Sequence, residues 1–171
     1  MKGEKLLLMG SSAFKAEGLP REVRDRIDDA MAEKMTVIVG EAPGANRFFQ
    51  DYLKSKEYKN VIVGHAIRLR YNAGNWKTVQ YGKNLKDRER AMTEDCDSAI
   101  VIWVNNSGQI AKNLELLKTL RKPTFLYEYS TKTNRARAGM LDPKRTYNQF
   151  YNMKEYYRKR KQSYSVRFDS S

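Results

Sequence analysis

The sequence MTVIVGEAPGANR, residues 35–47, holds the three features that decide the fold class: an apolar β-branched run, a glycine-containing turn and the start of a helix. The run closes at Gly40, and Phe49 and Leu53 follow with the four-residue spacing of one helical face. A strand that is apolar at every position is typical of a sheet covered by helices on both faces. The stretch therefore predicts a strand–turn–helix unit of an α/β protein.

The same order recurs on both sides of this stretch. Strand, helix and strand in repetition imply right-handed crossovers and an open parallel sheet. We therefore predict a Rossmann-like, open, mainly parallel five-stranded sheet with helices on both faces in residues 1–130, followed by a basic, aromatic C-terminal extension in residues 131–171. The five predicted strands are residues 6–9, 35–39, 61–63, 98–104 and 123–127.

The composition excludes several classes of protein. One cysteine, Cys96, and one histidine, His65, leave no intramolecular disulfide and no cysteine-based zinc site. We therefore expect no metal and no cofactor. The apolar runs are too short to span a bilayer, and the N-terminal run reads as a first strand rather than a signal peptide. A cytoplasmic protein with no membrane partner is the expectation.

Three strand-to-helix loops are candidates for binding a phosphate: residues 10–12, 40–47 and 105–109. Ligands of open α/β sheets bind beyond the carboxyl ends of the strands, where helix N-termini offer free N–H groups to an anion. The alternative is that such turns need glycine for their backbone geometry alone. The predicted phosphate-binding residues are Gly10, Ser11, Gly40, Gly44, Arg47, Ser107, Gly108 and Gln109.

Residues 66–86 show no periodic pattern and are rich in hydrogen-bonding side chains. A long irregular segment inside a compact domain is often functional, so we predict a lid or ligand wall. In this interpretation Arg70, Asn72 and Trp76 cover the base or sugar of a ligand. Trp76 could equally cap the core.

The order of motifs resembles that of the SLOG superfamily, whose members include LOG-type nucleotide phosphoribohydrolases, DNA-uptake proteins and nucleotide-sensing modules. Residues 40–46 resemble its Gly-x-Ala-x-Gly-x-Asp loop, residues 70–76 an Arg-Asn-x-x-Gly-x-Trp stretch of some small bacterial and phage members, and residues 107–113 a Ser-Gly-Thr-x-x-Asn phosphate loop. The likeness also includes residues 88–92. The resemblance implies a Rossmann-like fold and a nucleotide-derived ligand.

Two departures from that pattern bear on catalysis. Asn46 stands where the family commonly has aspartate, and Lys112 stands where LOG enzymes carry a glutamate that takes part in glycosidic-bond cleavage. Glu41 and Glu89 are then the candidate catalytic carboxylates of an N-glycosidase or (deoxy)ribosyltransferase-type enzyme. Both could also be ordinary ion-pair residues, so binding without turnover and catalysis both stay open at this point.

The C-terminal extension carries most of the net charge of +13, with 11 Lys/Arg against 3 Asp/Glu in residues 131–171. Residues 131–144 read as an extended arm, and aromatic residues near helical spacing follow. Basic groups interleaved with aromatic rings suit single-stranded nucleic acid. The alternative is an aromatic helix face that docks on this domain or on a second copy in a homo-oligomer. The candidate nucleic-acid contacts are Arg158, Lys159, Arg160 and Lys161.

Two functional hypotheses follow. In the first, the chain binds a nucleotide or nucleotide-derived phosphate ligand, as a sensor, a sequestering protein or an N-glycoside-cleaving enzyme. In the second, it is a nucleic-acid-binding protein that uses the carboxyl edge of its sheet together with the basic extension.

Overall fold

The computed structural model describes residues 3–148, which form an α/β domain with seven strands and four helices. The elements in chain order are β1 (Lys5–Gly10), α1 (Arg21–Ala32), β2 (Thr36–Gly40), α2 (Ala45–Ser55), β3 (Val61–His65), β4 (Lys77–Gln80), α3 (Leu85–Asp95), β5 (Ser98–Val104), α4 (Gly108–Thr119), β6 (Thr124–Ser130) and β7 (Arg135–Met140).

All seven strands belong to one sheet, in the order β4-β3-β2-β1-β5-β6-β7. Every neighbouring pair is parallel except β6–β7, which is antiparallel. Strands β2, β3 and β4 are added in turn on one side of β1, and β5 is then added on the other side of β1. The sheet order therefore reverses between β1 and β5, which is where open α/β sheets bind ligands.

The predicted α/β class and mainly parallel sheet are confirmed, but the predicted count of five strands is wrong. The two additional strands, β4 and β7, lie at the two edges of the sheet. Each is largely exposed, so neither carries the continuous apolar run that marks the central strands.

Helices cover both faces of the sheet, as predicted. Side chains of a strand alternate between faces, so Leu6 and Leu8 pack with α1 and α2, whereas Leu7 and Met9 pack with α3 and α4. The buried residues of β5 serve both cores, since all seven of its positions are buried. This double coverage explains why the central strands are apolar at every position.

The segment predicted as a lid or wall contains β4, and its first part is fastened to α2 by Gln50. The buried Gln50 amide donates to the Gly40 carbonyl at 2.8 Å and to the Tyr71 carbonyl at 3.2 Å, and its Oε1 accepts from the Ala73 N–H at 2.9 Å. Residues 71–73 are therefore anchored beside the end of β2.

The predicted C-terminal arm contains β7, which forms an antiparallel hairpin with β6. Asn134 in the connecting turn has a φ of 51°, a left-handed conformation that asparagine tolerates better than most residues. The candidate nucleic-acid contacts Arg158, Lys159, Arg160 and Lys161 lie outside the described residues. Of the aromatic residues that follow the arm, Tyr147 is described, and its side chain is buried. Within residues 3–148 no helix is long and apolar enough to cross a bilayer.

Candidate functional site

The loops after β1 and β5 meet at the point where the sheet order reverses. The Ser11 and Ser107 hydroxyls are hydrogen bonded to each other at 3.0 Å. Ser11 is held in place because its Oγ accepts from the Val104 N–H at 2.9 Å and its own N–H donates to the Ile102 carbonyl at 2.9 Å. Two of the predicted phosphate-binding residues, 96 positions apart in sequence, are thus brought together.

The N-terminus of α4 opens beside this pair of hydroxyls. Ser107 caps the helix without a side-chain hydrogen bond to it, and a Cβ added to Gly108 would have no atom within 4 Å. The Trp103 indole N–H donates to the Ser107 carbonyl at 2.9 Å and fixes the loop from below. A first helical turn with open space in front of it offers free N–H groups and a partial positive charge to an anion.

The N-terminus of α2 is packed against protein instead. Gly44 has a φ of +89°, and a Cβ there would lie 2.4 Å from the Ser12 carbonyl oxygen. The Ala45 N–H donates to the Ser11 carbonyl at 3.1 Å, and a Cβ on Gly10 would lie 2.5 Å from the Ala45 Cβ. Gly10 and Gly44 therefore allow α2 to begin directly against the loop after β1.

An arginine–glutamate cluster lies next to these loops and consists of the buried Glu41 and Arg88 and the partly exposed Arg70 and Glu89. Glu41 has no exposed surface, and its two carboxylate oxygens accept from Arg88 Nη1 at 2.6 Å and Arg70 Nε at 2.5 Å. Arg88 is itself buried, and its Nη2 lies 3.6 Å from Glu89 Oε1. A buried carboxylate needs such pairing, because an isolated charge in the interior is strongly unfavourable.

Glu89 joins this cluster to the open end of α4. Its Oε2 accepts from Asn113 Nδ2 at 2.5 Å and from Gln109 Nε2 at 3.2 Å, and both partners lie on α4. The Glu89 side chain is 22% exposed, whereas that of Glu41 is fully buried. Of the two candidate carboxylates, only Glu89 combines a position at the loops with access to solvent.

A small cavity of about 10 Å³ lies between the ends of β1 and β2 and helix α3. Its lining combines the apolar side chains of Leu8, Met9 and Met92 with Gly40, Asn46, Arg88 and Glu89. Its volume is about that required for one water molecule. Asn46 Oδ1 and Arg88 Nε are buried and have no hydrogen-bond partner among the described residues. The cavity therefore presents one unused acceptor and one unused donor at the floor of the candidate site.

Some of the remaining predicted residues lie at this site, and others lie toward the amino ends of the strands. Arg47 lies over the Tyr71 ring at 5.0 Å, and Arg70 reaches Glu41. The Asn72 side chain donates to the Trp76 carbonyl and accepts from the Trp76 N–H. The Trp76 indole N–H donates to the Tyr58 carbonyl at 2.8 Å. Trp76 precedes β4 and packs against the core at the amino edge, so the structure does not bring it together with the three loops.

Neither the cysteine nor a metal cluster adds chemistry to this site. Burial raises the pKa of the Cys96 thiol to about 11, so the reactive thiolate is scarce at neutral pH. Within residues 3–148 no group of three or more His, Cys, Asp or Glu side chains could hold a metal ion.

Three residues of the site, Asn46, Arg88 and Asn113, were not among those predicted to bind or react. A signal for Asn113 exists, because it lies four residues after Gln109 and therefore on the same helix face. Arg88 lacks such a signal, since its partner Glu41 is 47 positions away. Comparison with known proteins adds no relative, since no protein-family model and no curated protein matches the chain.

Proposed function

We propose that the chain binds a nucleotide, or a nucleotide-derived phosphate ligand, in the crevice between the loops after β1 and β5. The observation that carries the proposal is the contact of the Ser11 and Ser107 hydroxyls beside the open first turn of α4. Hydroxyl groups and backbone N–H groups of a helix N-terminus together form the donor set that a phosphate requires.

The phosphate is held, in this proposal, by the Gly108 and Gln109 N–H groups and the Ser107 hydroxyl. The rest of the ligand extends toward the arginine–glutamate cluster, where Arg70 is the member with the most exposed side chain. The unused acceptor of Asn46 and the unused donor of Arg88 lie beneath the crevice, beside a cavity the size of one water molecule, so neither contacts the ligand directly. A nucleotide provides the chemistry that such a site recognises: a phosphate anion followed by hydroxyl and ring heteroatoms.

We further propose binding without turnover, as in a sensor or sequestering protein. Both oxygens of Glu41 are engaged by arginines, so Glu41 is a structural anion rather than an acid or base. Glu89 accepts from two α4 amides, which holds it in place and uses one of its oxygens. Lys112, at the position of the LOG glutamate, is exposed on α4 and offers no carboxylate.

The test is a calorimetric titration of the full chain with nucleoside 5′-monophosphates and with the matching nucleosides that lack phosphate. At least one monophosphate is expected to bind about 100-fold more tightly than its nucleoside, because the phosphate contacts supply most of the affinity. Equal affinity for a nucleotide and its nucleoside would remove the phosphate from the proposal.

The same samples, incubated and separated by chromatography, report turnover. Tight binding with no free base supports a sensor or sequestering role. Release of free base that is lost in Glu89→Gln would show an N-glycosidase or (deoxy)ribosyltransferase-type enzyme and overturn the proposal of binding alone.

A further inference from the structure

A large basic cavity lies over the β6–β7 hairpin and the adjoining residues Asn105 and Asn106. Its volume is about 870 Å³, and its lining includes Asn106, Glu128, Lys132, Arg135, Arg137 and Arg145. Ligand pockets in proteins span about 300–1,000 Å³, so this recess is large enough to hold a ligand. Asn105 and Asn106 belong to the loop of residues 105–109, and the other lining residues lie on β6, on β7, in the turn between them and at Arg145.

The floor of the basic cavity is built from Arg145 and Glu128. Arg145 forms a two-pronged ion pair with Glu128, with Nη1–Oε2 at 2.8 Å and Nη2–Oε1 at 2.5 Å, and lies over the rings of Tyr147 and Trp103 at 4.6 and 5.7 Å. Burial acts to raise the pKa of the Glu128 carboxyl, but hydrogen bonds and charge from Arg145 and Arg137 outweigh it and hold that pKa below its usual value. The floor is therefore ordered and ionised at neutral pH.

The wall of the basic cavity carries positive charge that no group among residues 3–148 neutralises. Lys132 and Arg135 are exposed, and neither side chain has a hydrogen bond or ion pair in the described part of the chain. With Arg137 and Arg145 the lining holds four basic side chains against the single carboxylate of Glu128. Their net charge of three positive units favours an anionic ligand.

The mouth of the basic cavity is shaped by two asparagines with left-handed backbone. Asn105 and Asn106 have φ values of 52° and 51°. The Asn105 side chain donates to Thr131 Oγ1 and accepts from the Thr131 N–H, both at 2.9 Å, and so ties the end of β5 to the β6–β7 turn. Asn106 is exposed at the rim, where its amide can donate to a ligand.

We infer that the basic cavity binds the phosphate backbone of a single-stranded nucleic acid. Several separated basic groups around one recess match a ligand with successive phosphates rather than a single anion. One side of the recess is the exposed edge strand β7, so an extended chain can enter and leave along it. A single strand fits such a recess, whereas proteins read a duplex with an element that protrudes into its groove. This inference does not depend on the nucleotide site.

The experiment compares two double variants of the full chain, each of which loses two positive charges. Lys132→Ala/Arg135→Ala removes the unpaired charges of the basic cavity, and Lys59→Ala/Lys77→Ala removes two exposed lysines at the opposite edge of the sheet. Fluorescence anisotropy is measured with a labelled single-stranded oligodeoxythymidine and oligouridine of about 12 nucleotides at several salt concentrations.

The cavity variant is expected to bind the oligonucleotides about tenfold more weakly, with a slope of log affinity against log salt that is smaller by about 1.4. The control variant is expected to stay within about twofold of the wild type. Three results would overturn the inference: no binding by the wild type, equal weakening in both variants, or unchanged binding in the cavity variant. A cavity variant that loses affinity for adenosine triphosphate but not for the oligonucleotides would assign the recess to a small polyphosphate instead.

Discussion

The two loops that begin α2 and α4 have equivalent positions in the fold but different surroundings. Both follow a buried parallel strand, and both place a glycine at the start of a helix: Gly44 precedes the first residue of α2, and Gly108 is the first residue of α4. Gly44 has a positive φ and lies against the backbone of Ser12, whereas Gly108 has open space where a Cβ would be. The first loop is part of the packing, and the second faces solvent.

This difference shows that packing does not always require the glycine of a strand-to-helix turn. At Gly44 and Gly10 the missing Cβ lets two segments of the protein approach each other. At Gly108 a Cβ would meet nothing within 4 Å, so packing does not require the glycine there. The proposed nucleotide site therefore depends on the α4 loop, and the α2 loop positions the residues behind it.

Glu41→Gln gives the largest expected loss of stability. The substitution leaves Arg88 buried without the carboxylate that neutralises it, and breaking a buried pair in this way costs about 4 kcal/mol. Urea denaturation measures the free energy of unfolding. Glu17→Gln, at an exposed position, serves as the control and is expected to stay within about 0.5 kcal/mol of the wild type. Equal stabilities of the two variants would show that the cluster does not hold the α2 loop.

Gly44→Ala is expected to destabilise the fold by about 3 kcal/mol, since the strain of the backbone conformation adds to the clash with Ser12. The measurement is the midpoint of thermal or urea unfolding. Gly18→Ala is the matched control, because a Cβ at Gly18 meets nothing within 4 Å. A stable Gly44→Ala variant would contradict the structural role assigned to this loop.

Asp97→Asn tests a site where backbone N–H groups bind the carboxylate of one of the protein's own side chains. Asp97 Oδ2 accepts from the Glu4 and Lys5 N–H groups at 2.8 and 2.9 Å, and these hydrogen bonds, that from Lys5 first, hold the pKa of Asp97 below its ordinary value of 3.8. A lowered pKa stabilises the fold above the unfolded-state pKa, and this stability is lost as the pH falls through the folded-state pKa.

We therefore expect Asp97→Asn to be less stable than the wild type by about 1 kcal/mol at pH 7. The gap should narrow as the pH falls through the ordinary aspartate pKa of 3.8 and close once the pH is below the depressed folded-state pKa. Urea denaturation across this range measures both quantities. A gap that is independent of pH would show that the carboxylate charge has no part in the interaction.

Gly108→Ala has the smallest expected effect on stability. The position is open, and alanine favours a helix more than glycine does, so the variant is expected to be unchanged or more stable by about 0.5 kcal/mol. Thermal unfolding of Gly108→Ala, measured together with that of Gly44→Ala, compares the two loops directly. Equal destabilisation of Gly108→Ala and Gly44→Ala would contradict the difference between the two loops.

The central part of the fold could be predicted from the sequence because its strands are buried on both faces. Ile38 and Val39, for example, pack into different cores, so the whole run must be apolar. The edge strands β4 and β7 could not be predicted in this way. Their side chains are exposed, and they are strands because a neighbouring strand hydrogen bonds to them.

The position of the candidate site was accessible to sequence reasoning, but the roles of its residues were not. A loop after a parallel strand must lie at the carboxyl edge, which placed Ser11 and Ser107 at the same edge. Whether a glycine faces protein or open space depends on a segment far away in sequence, such as Ser12 for Gly44. The same holds for Glu41, whose partners come from two later segments.

The central claim, that an external phosphate binds at the start of α4, is tested most directly by adding a negative charge there. Gly108→Asp and the control Gly18→Asp each place a carboxylate at an exposed, open glycine; Gly108 begins α4, whereas Gly18 lies in the loop before α1. Calorimetry with the nucleoside monophosphate that the wild type binds most tightly should show at least about a 100-fold loss of affinity for Gly108→Asp. Gly18→Asp should bind like the wild type, and both variants should unfold at the wild-type temperature. Unchanged affinity in a folded Gly108→Asp variant would contradict the account.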